Sequence, residues 1–329
     1  MTKKIKVAVI GVGYLGNYHS EKYAKHPSVD LVGVVDTRPE RGQSIAARLG
    51  TTFYSHVTEI IDKVQAVSVV VPTDQHYDVT KICLEAGLDV LVEKPFTKES
   101  WQAEELLALA VKNHCILQVG HLERFNPVVK EAHKFLCAPL FIECHRLNSF
   151  VDRGTEVDIV LDLMIHDLDI LLNIVPFPVV RIDAIGAPIV SSNIDIANVR
   201  LQFQSGCVAN LTASRISFKP MRKMRIFQRD AYLSLDFQHS TVDVFRKISG
   251  DNALLPEIRG EQFSFEKSDP LQDEIFSFIN AVDLRTKPIV TAESALEALT
   301  LAEQIVKSIK HTAKQYYPEF SDHLPTLYL

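Results

Sequence analysis

Apolar positions in the first third of the chain fall into short unbroken runs, separated by longer stretches where they recur every three or four residues. Lys6–Ile10 (KVAVI), Leu31–Val35 (LVGVV), Ala66–Val71 (AVSVVV), Asp89–Val92 and Ile116–Val119 (ILQV) read as strands, with Thr52-Phe53-Tyr54 as a short further one. Asn17–Lys25, Pro39–Leu49, His76–Ala86 and Glu99–Asn113 read as the intervening helices. Strands that are apolar on both faces, alternating with helices, predict a parallel sheet covered on both sides.

The pattern changes after Gly120. Pro127–Leu136 predicts a helix, Leu140–Leu147 a strand, and Val157–Ile174 carries apolar residues at helical spacing. From Val179 to about Phe265 come successive strands: Arg181–Ala187, Ile196–Phe203, Val208–Ile216, Lys223–Gln228, Ala231–Phe237 and Thr241–Phe245. Tight connections such as Gln204-Ser205-Gly206 predict a largely antiparallel sheet. Two amphipathic helices close the chain, near Gln272–Leu284 and Ser294–His311. The expected architecture is an α/β Rossmann domain with a parallel sheet over residues 1–120. An α+β domain with a large, open, mostly antiparallel sheet follows over residues 121–329. A length of 329 residues agrees with two domains at about 150 residues each.

Composition narrows the function. The formal charge of −6 argues against nucleic acid as a partner, which needs a strongly basic face. No run approaches the roughly 18 apolar residues of a membrane span. The apolar run after Lys6 reads as a strand ending in a glycine loop, so no signal peptide is expected. The five cysteines are odd in number and lack a C-x-x-C pair, which predicts buried reduced thiols. A cytoplasmic protein is expected.

Gly11-Val12-Gly13-Tyr14-Leu15-Gly16 lies between a strand and a helix, and Asp36 ends the next strand 20 residues after Gly16. In that setting the first glycine permits a tight turn and the second lets backbone approach a pyrophosphate. The third allows close helix–strand packing, while the helix N-terminus faces the anion. Asp36 can accept from both adenosine ribose hydroxyls and repels a 2′-phosphate, which favours NAD; Arg38 can soften that preference, so NADP is not excluded. The expected cofactor contacts are Gly11, Gly13, Tyr14, Leu15 and Gly16, with Asp36, Thr37 and Arg38 after the second strand. Pro72, Thr73 and His76 follow the fourth strand, and Glu93 and Lys94 the fifth. Thr73 also reads as a helix cap, and His76 as a surface residue.

Lys94, in Glu93-Lys94-Pro95, should project at the carboxyl edge of the sheet, where it can hold a substrate oxygen and stabilise its charge. Asp158, Asp162 and His166 recur at spacings of four inside an apolar stretch, which places them on one helix face. Asp162 can orient His166, leaving the imidazole to take a proton from an alcohol. A helix cap or a solvated acidic face is the alternative. No metal site is expected, since no cysteine or second histidine is suitably spaced. Together these groups describe dehydrogenation of a secondary alcohol.

In this order and spacing, the glycine loop, Glu93-Lys94-Pro95 and Asp162-x3-His166 resemble the glucose–fructose oxidoreductase / inositol dehydrogenase / rhizopine-catabolism (Gfo/Idh/MocA) family along essentially the whole chain. The resemblance implies Lys94, Asp162 and His166 as the catalytic set. It also implies a second-domain sheet that carries the substrate pocket and a homodimer or homotetramer interface. Val119–Pro127, with Met221–Phe227 and Asp230–Asp236, resembles the branch that oxidises the 3-hydroxyl of UDP-N-acetylglucosamine ahead of lipid A assembly. Arg124 and Asn126 are then expected at the substrate. The basic cluster Arg215, Lys219, Arg222, Lys223, Arg225 and Arg229 is either a diphosphate seat or a solvated, oligomer-facing strand pair. A polyol or free-sugar dehydrogenase, and a non-catalytic NAD-binding sensor, are the other readings.

Overall fold

The computed structural model describes residues 4–150, 157–248, 257–266 and 268–316. Two compact units emerge: residues 1–125 with 269–299, and residues 126–268 with 300–329. The first holds strands β1 (Ile5–Ile10), β2 (Val29–Val35), β3 (Thr52–Tyr54), β4 (Ala66–Val69), β5 (Asp89–Glu93) and β6 (Leu117–Gly120). They form one parallel sheet in the order β3-β2-β1-β4-β5-β6. Helices α1 (Tyr14–Lys25), α2 (Pro39–Leu49), α3 (His76–Glu85) and α4 (Ser100–Lys112) connect them. Strand order reverses between β1 and β4, which opens a crevice at the carboxyl ends where ligands bind in such sheets. The apolar runs behave as their composition demands, with Val7, Val9, Val67, Val90 and Leu91 wholly buried.

The second unit begins with α5 (Pro127–His133) and β7 (Phe141–Leu147). A π-helical turn, Val160–Met164, runs directly into α6 (Ile165–Ile174). Seven further strands follow: β8 (Val179–Ala187), β9 (Ile196–Phe203), β10 (Val208–Ser214), β11 (Met221–Phe227), β12 (Ala231–Asp236), β13 (Thr241–Ile248) and β14 (Glu257–Ser264). The resulting eight-stranded sheet has the order β14-β13-β12-β11-β7-β10-β9-β8. All its pairings are antiparallel except β7 with β10. Period-two burial makes one face a core: on β9, Ala197, Val199, Leu201 and Phe203 are buried while Asn198, Arg200 and Gln202 are exposed. The hydrophobic pattern did not predict β14. It is an edge strand, largely exposed and rich in charge, which suits an edge that must not recruit other strands.

Helix α7 (Pro270–Leu284) returns to the first unit, and α8 (Ala292–Tyr316) closes the described chain. Ile275, Phe278, Ile279 and Val282 make a single helical stripe and share a core with Ile5, Val7, Val9 and Tyr23. Residues 269–299 thus lie with the Rossmann sheet, although the sequence pattern places everything beyond residue 120 in the second domain. An amphipathic stripe specifies that a helix is buried, not against which sheet. Among the described residues no helix is long and apolar enough to cross a membrane. Cys83, Cys144 and Cys207 are buried as predicted, whereas Cys137 is exposed.

Candidate functional site

Directly after β1, Gly11 takes φ +84°, and a Cβ there would lie 2.5 Å from the carbonyl oxygen of Val70. At Gly16 a Cβ would lie 1.9 Å from the carbonyl oxygen of Gly11. Only glycine at both positions lets α1 rise immediately from the strand. Gly13 differs: a Cβ there would meet nothing nearer than Arg41 Nη1 at 3.8 Å. It is the N-cap of α1 and supplies no side-chain cap. The first-turn amides of a helix have no intrahelical acceptor and sit at the positive end of its dipole. A glycine-lined, outward-facing helix start of this kind fits a dinucleotide pyrophosphate. Leu15 is half-buried, while Tyr14 is exposed and packs edge-on against Tyr18 at 5.3 Å.

Asp36, at the end of β2, is buried. Its Oδ2 accepts from the Val12 amide at 3.0 Å and from Arg41 Nε at 3.0 Å. Its Oδ1 accepts from the Arg38 amide at 2.8 Å and from Arg41 Nη2 at 2.8 Å. Burial pushes the carboxyl upward, but the Arg41 fork and the two amides outweigh it and hold Asp36 below the usual carboxylate range. The side chain that reaches Asp36 is therefore Arg41, three positions beyond Arg38, in the first turn of α2. Arg38 contributes its backbone amide, and both Thr37 and Arg38 are exposed. Sequence spacing pointed to Arg38 because it follows the strand; the turn of α2 brings Arg41 back over the carboxylate.

The ends of β4 and β5 form the next part. Pro72 is exposed and precedes a single 3-10 turn, Thr73–Gln75, which feeds α3. The Thr73 hydroxyl caps neither helix, because Pro72 and Gln75 occupy the cap positions. His76 is not a surface residue: it is buried, with Nδ1 2.8 Å from the Pro95 carbonyl oxygen and Nε2 2.9 Å from that of Val71. Burial lowers its pKa, and the two carbonyls oppose that shift. The imidazole thereby ties the end of β4 to the turn that carries Lys94.

Glu93 is likewise buried. Its Oε1 lies 3.1 Å from His19 Nε2, and its Oε2 accepts from the Lys94 amide at 3.3 Å. His19 Nδ1 is 3.2 Å from Ser68 Oγ, which is 2.7 Å from Tyr23 Oη. With Glu93 ionised, Nε2–H donates to it, Ser68 donates to Nδ1, and Tyr23 donates to Ser68. Burial raises the Glu93 pKa, but the His19 hydrogen bond and the nearby Lys94 and His76 bring it below its ordinary value. Gly120 on β6 makes room for this carboxylate, since a Cβ there would lie 2.9 Å from it. Lys94 itself is half-buried, on the turn just past β5, and the Lys94–Pro95 peptide is cis. His19, Ser68 and Tyr23 went unread in the sequence. Their signal was polar residues on the buried faces of α1 and β4.

In the second unit Asp158 is a helix cap rather than a member of a catalytic face. Its Oδ1 accepts from the amides of Val160 and Leu161, both at 3.1 Å. Burial raises its pKa, against those amides and the nearby Lys310 and Arg215. The π-helical turn that follows contains Asp162, half-buried, and leads to His166, buried in the first turn of α6. Such turns are rare and frequent at functional sites. Asp167 is held by Arg146 of β7 in a fully buried fork, with Nη2 to Oδ1 at 2.8 Å and Nε to Oδ2 at 3.1 Å.

The remaining candidates divide. Asn126 caps α5, its Oδ1 accepting from the Val128 amide at 3.0 Å, so that oxygen is already committed. Arg124 is half-buried on the 3-10 turn Leu122–Phe125 of the first unit. In the basic cluster, Arg215 donates to the Val157 carbonyl at 2.8 Å, Lys223 pairs with Asp236 at 2.9 Å, and Arg225 with Glu143 at 3.3 Å. The Lys223 and Arg225 pairings lie within the sheet of the second unit, with Asp236 on β12 and Glu143 on β7.

Two family models match this chain. Residues 5–121 match "Oxidoreductase family, NAD-binding Rossmann fold", and residues 136–233 match "GFO/IDH/MocA C-terminal domain". A UDP-N-acetylglucosamine 3-dehydrogenase of Acidithiobacillus ferrooxidans is 37% identical over 279 residues, covering 84% of this chain and 88% of the relative. A crystal form of that organism's enzyme superposes with a TM-score of 0.88 at 34% identity, covering 93% of this chain and 97% of the other. A scyllo-inositol 2-dehydrogenase (NAD(+)) of Bacillus subtilis is 26% identical, over 66% of this chain and 69% of its own length.

Proposed function

The chain belongs to the Gfo/Idh/MocA oxidoreductase family, with an NAD-binding Rossmann domain, and from that premise we propose that it oxidises the 3-hydroxyl of UDP-N-acetylglucosamine to a ketone for lipid A precursor synthesis. The observation that carries the chemistry is the position of Lys94. It follows β5 at the same carboxyl edge as the glycine loop after β1 and Asp36 after β2.

When bound, the dinucleotide supplies a nicotinamide that accepts hydride from the substrate carbon. Lys94 donates hydrogen bonds to the reacting oxygen and stabilises the negative charge that grows on it as its proton leaves. His166 takes that proton, so the alcohol loses one hydride and one proton and becomes a ketone. Asp162 sets the imidazole's orientation. Arg124 meets the substrate's anionic diphosphate. Identity to the Acidithiobacillus enzyme supports the nucleotide sugar over a free sugar, and the inositol dehydrogenases among the relatives keep a polyol as the second reading.

A panel of UDP-N-acetylglucosamine, myo-inositol and glucose with NAD tests the choice. NADH should form fastest with the nucleotide sugar. Absence of NADH with that substrate, alongside turnover of inositol, would replace the first reading by the second.

A further inference from the structure

The Asp36 carboxylate has about four lone-pair positions, and four donors fill them: two amides and the two arms of Arg41. Its side chain is 1% exposed, against 38% for that of Arg41. A ribose diol approaching from the crevice therefore meets the guanidinium first and reaches the carboxylate only by displacing it. Arg41 Nη1 is not used by Asp36 and lies on the side of Gly13, the open member of the phosphate loop. The guanidinium thus spans the gap between the residue that reads a ribose and the loop that receives a pyrophosphate.

We infer that Arg41 decides the 2′ substituent of the bound dinucleotide, and that by covering and neutralising Asp36 it lets this chain take a 2′-phosphate as well as a free ribose. A bare aspartate here repels a 2′-phosphate. An aspartate already paired with arginine presents no net charge, and the remaining N–H groups of Arg41 are suited to phosphate oxygens. With an unphosphorylated ribose, the diol and Arg41 compete for the same acceptors, which weakens the usual preference for NAD. Arg38, exposed and unattached to Asp36 by its side chain, plays the smaller part. This inference rests on the proposed use of the glycine loop for a dinucleotide.

Equilibrium binding of NADH and NADPH to the full chain, followed by nicotinamide fluorescence, tests it without turnover. The wild-type protein should bind the two within about tenfold of each other, and Arg41→Gln should widen the preference for NADH by about tenfold or more, the loss of a charge-assisted contact. Arg38→Gln should move the ratio by less than about threefold. Asp36→Asn, which keeps Arg41 but removes the negative charge, should shift the ratio toward NADPH, so the test survives a poorly folding Arg41 variant. A wild-type preference for NADH beyond about a hundredfold, or an unchanged ratio in Arg41→Gln and Asp36→Asn, overturns the role given to Arg41. Failure of the wild type to bind either nucleotide instead overturns the dinucleotide reading itself.

Discussion

The turn that carries Lys94 and the helix that carries His166 each present one side chain of the proposed reaction, but they are held in opposite ways. Lys94 stands at a strand end, on backbone fastened from below by uncharged and singly charged groups: His76 to two carbonyls, and Glu93 to His19 and the Lys94 amide. His166 sits beside Asp167, which is locked to Arg146 of β7 in a fully buried ion pair, on a helix whose start is capped by Asp158. The first arrangement positions a group through the backbone of a rigid sheet. The second depends on charges that are costly to bury and safe only while both partners remain. Loss of a supporting group should therefore harm chemistry in the first region and stability in the second.

The largest effect expected from this contrast is at Lys94. Lys94→Ala should lower turnover by about a thousandfold while NADH binding stays measurable and thermal melting stays near wild type; unchanged turnover would remove Lys94 from the mechanism. Arg146→Met should do the reverse, leaving the Asp167 carboxylate buried without its guanidinium. A loss of about 3–5 kcal/mol in the stability of the second unit is expected, measured by denaturant unfolding, and a loss below about 1 kcal/mol would show that the pair is solvated.

His76→Ala sharpens the contrast because both ring nitrogens face backbone carbonyls. By releasing the Val71 and Pro95 carbonyls it should reduce kcat by about ten- to a hundredfold with KM for the sugar and NADH affinity little changed. A proportional loss of all three would mean that His76 serves stability alone.

The smallest effects belong to Asp158. Asp158→Ala removes a cap and should cost about 1 kcal/mol. Asp158→Asn keeps an oxygen for the Val160 and Leu161 amides but cannot ionise. Because burial raises the pKa of Asp158 above its ordinary value, the ionised wild-type residue loses stability as pH rises through its folded pKa. The Asn variant should accordingly match wild type in acid and surpass it toward neutral pH in melting temperature. A gain that instead grows in acid would reverse the sign assigned to this group.

Much of the first unit was legible from local pattern. A glycine that must take φ +84°, another with no room for a Cβ, and strands apolar on both faces announce themselves residue by residue. Lys94 was legible for the same reason, because position at a strand end is a local property. The partners were not. Arg41 covers Asp36 only because α2 turns back over β2, and His19 reaches Glu93 across 74 positions of sequence. Asp158 looked like the third member of an acidic face, since spacing alone cannot distinguish a cap from a catalytic group. The π-helical turn carries no hydrophobic signature distinct from an α-helix.

By itself, the sequence determined the two architectures, the dinucleotide loop and the identity of the candidate reactive groups, because these depend on side-chain type, steric freedom and short-range periodicity. Only the tertiary structure decided what each of those groups touches. Which arginine neutralises Asp36, which histidine steadies the Lys94 turn, and which core receives α7 are set by burial of polar groups that must find partners and apolar faces that must find cover. Those requirements are satisfied between residues far apart in the chain, where sequence spacing carries no information about distance.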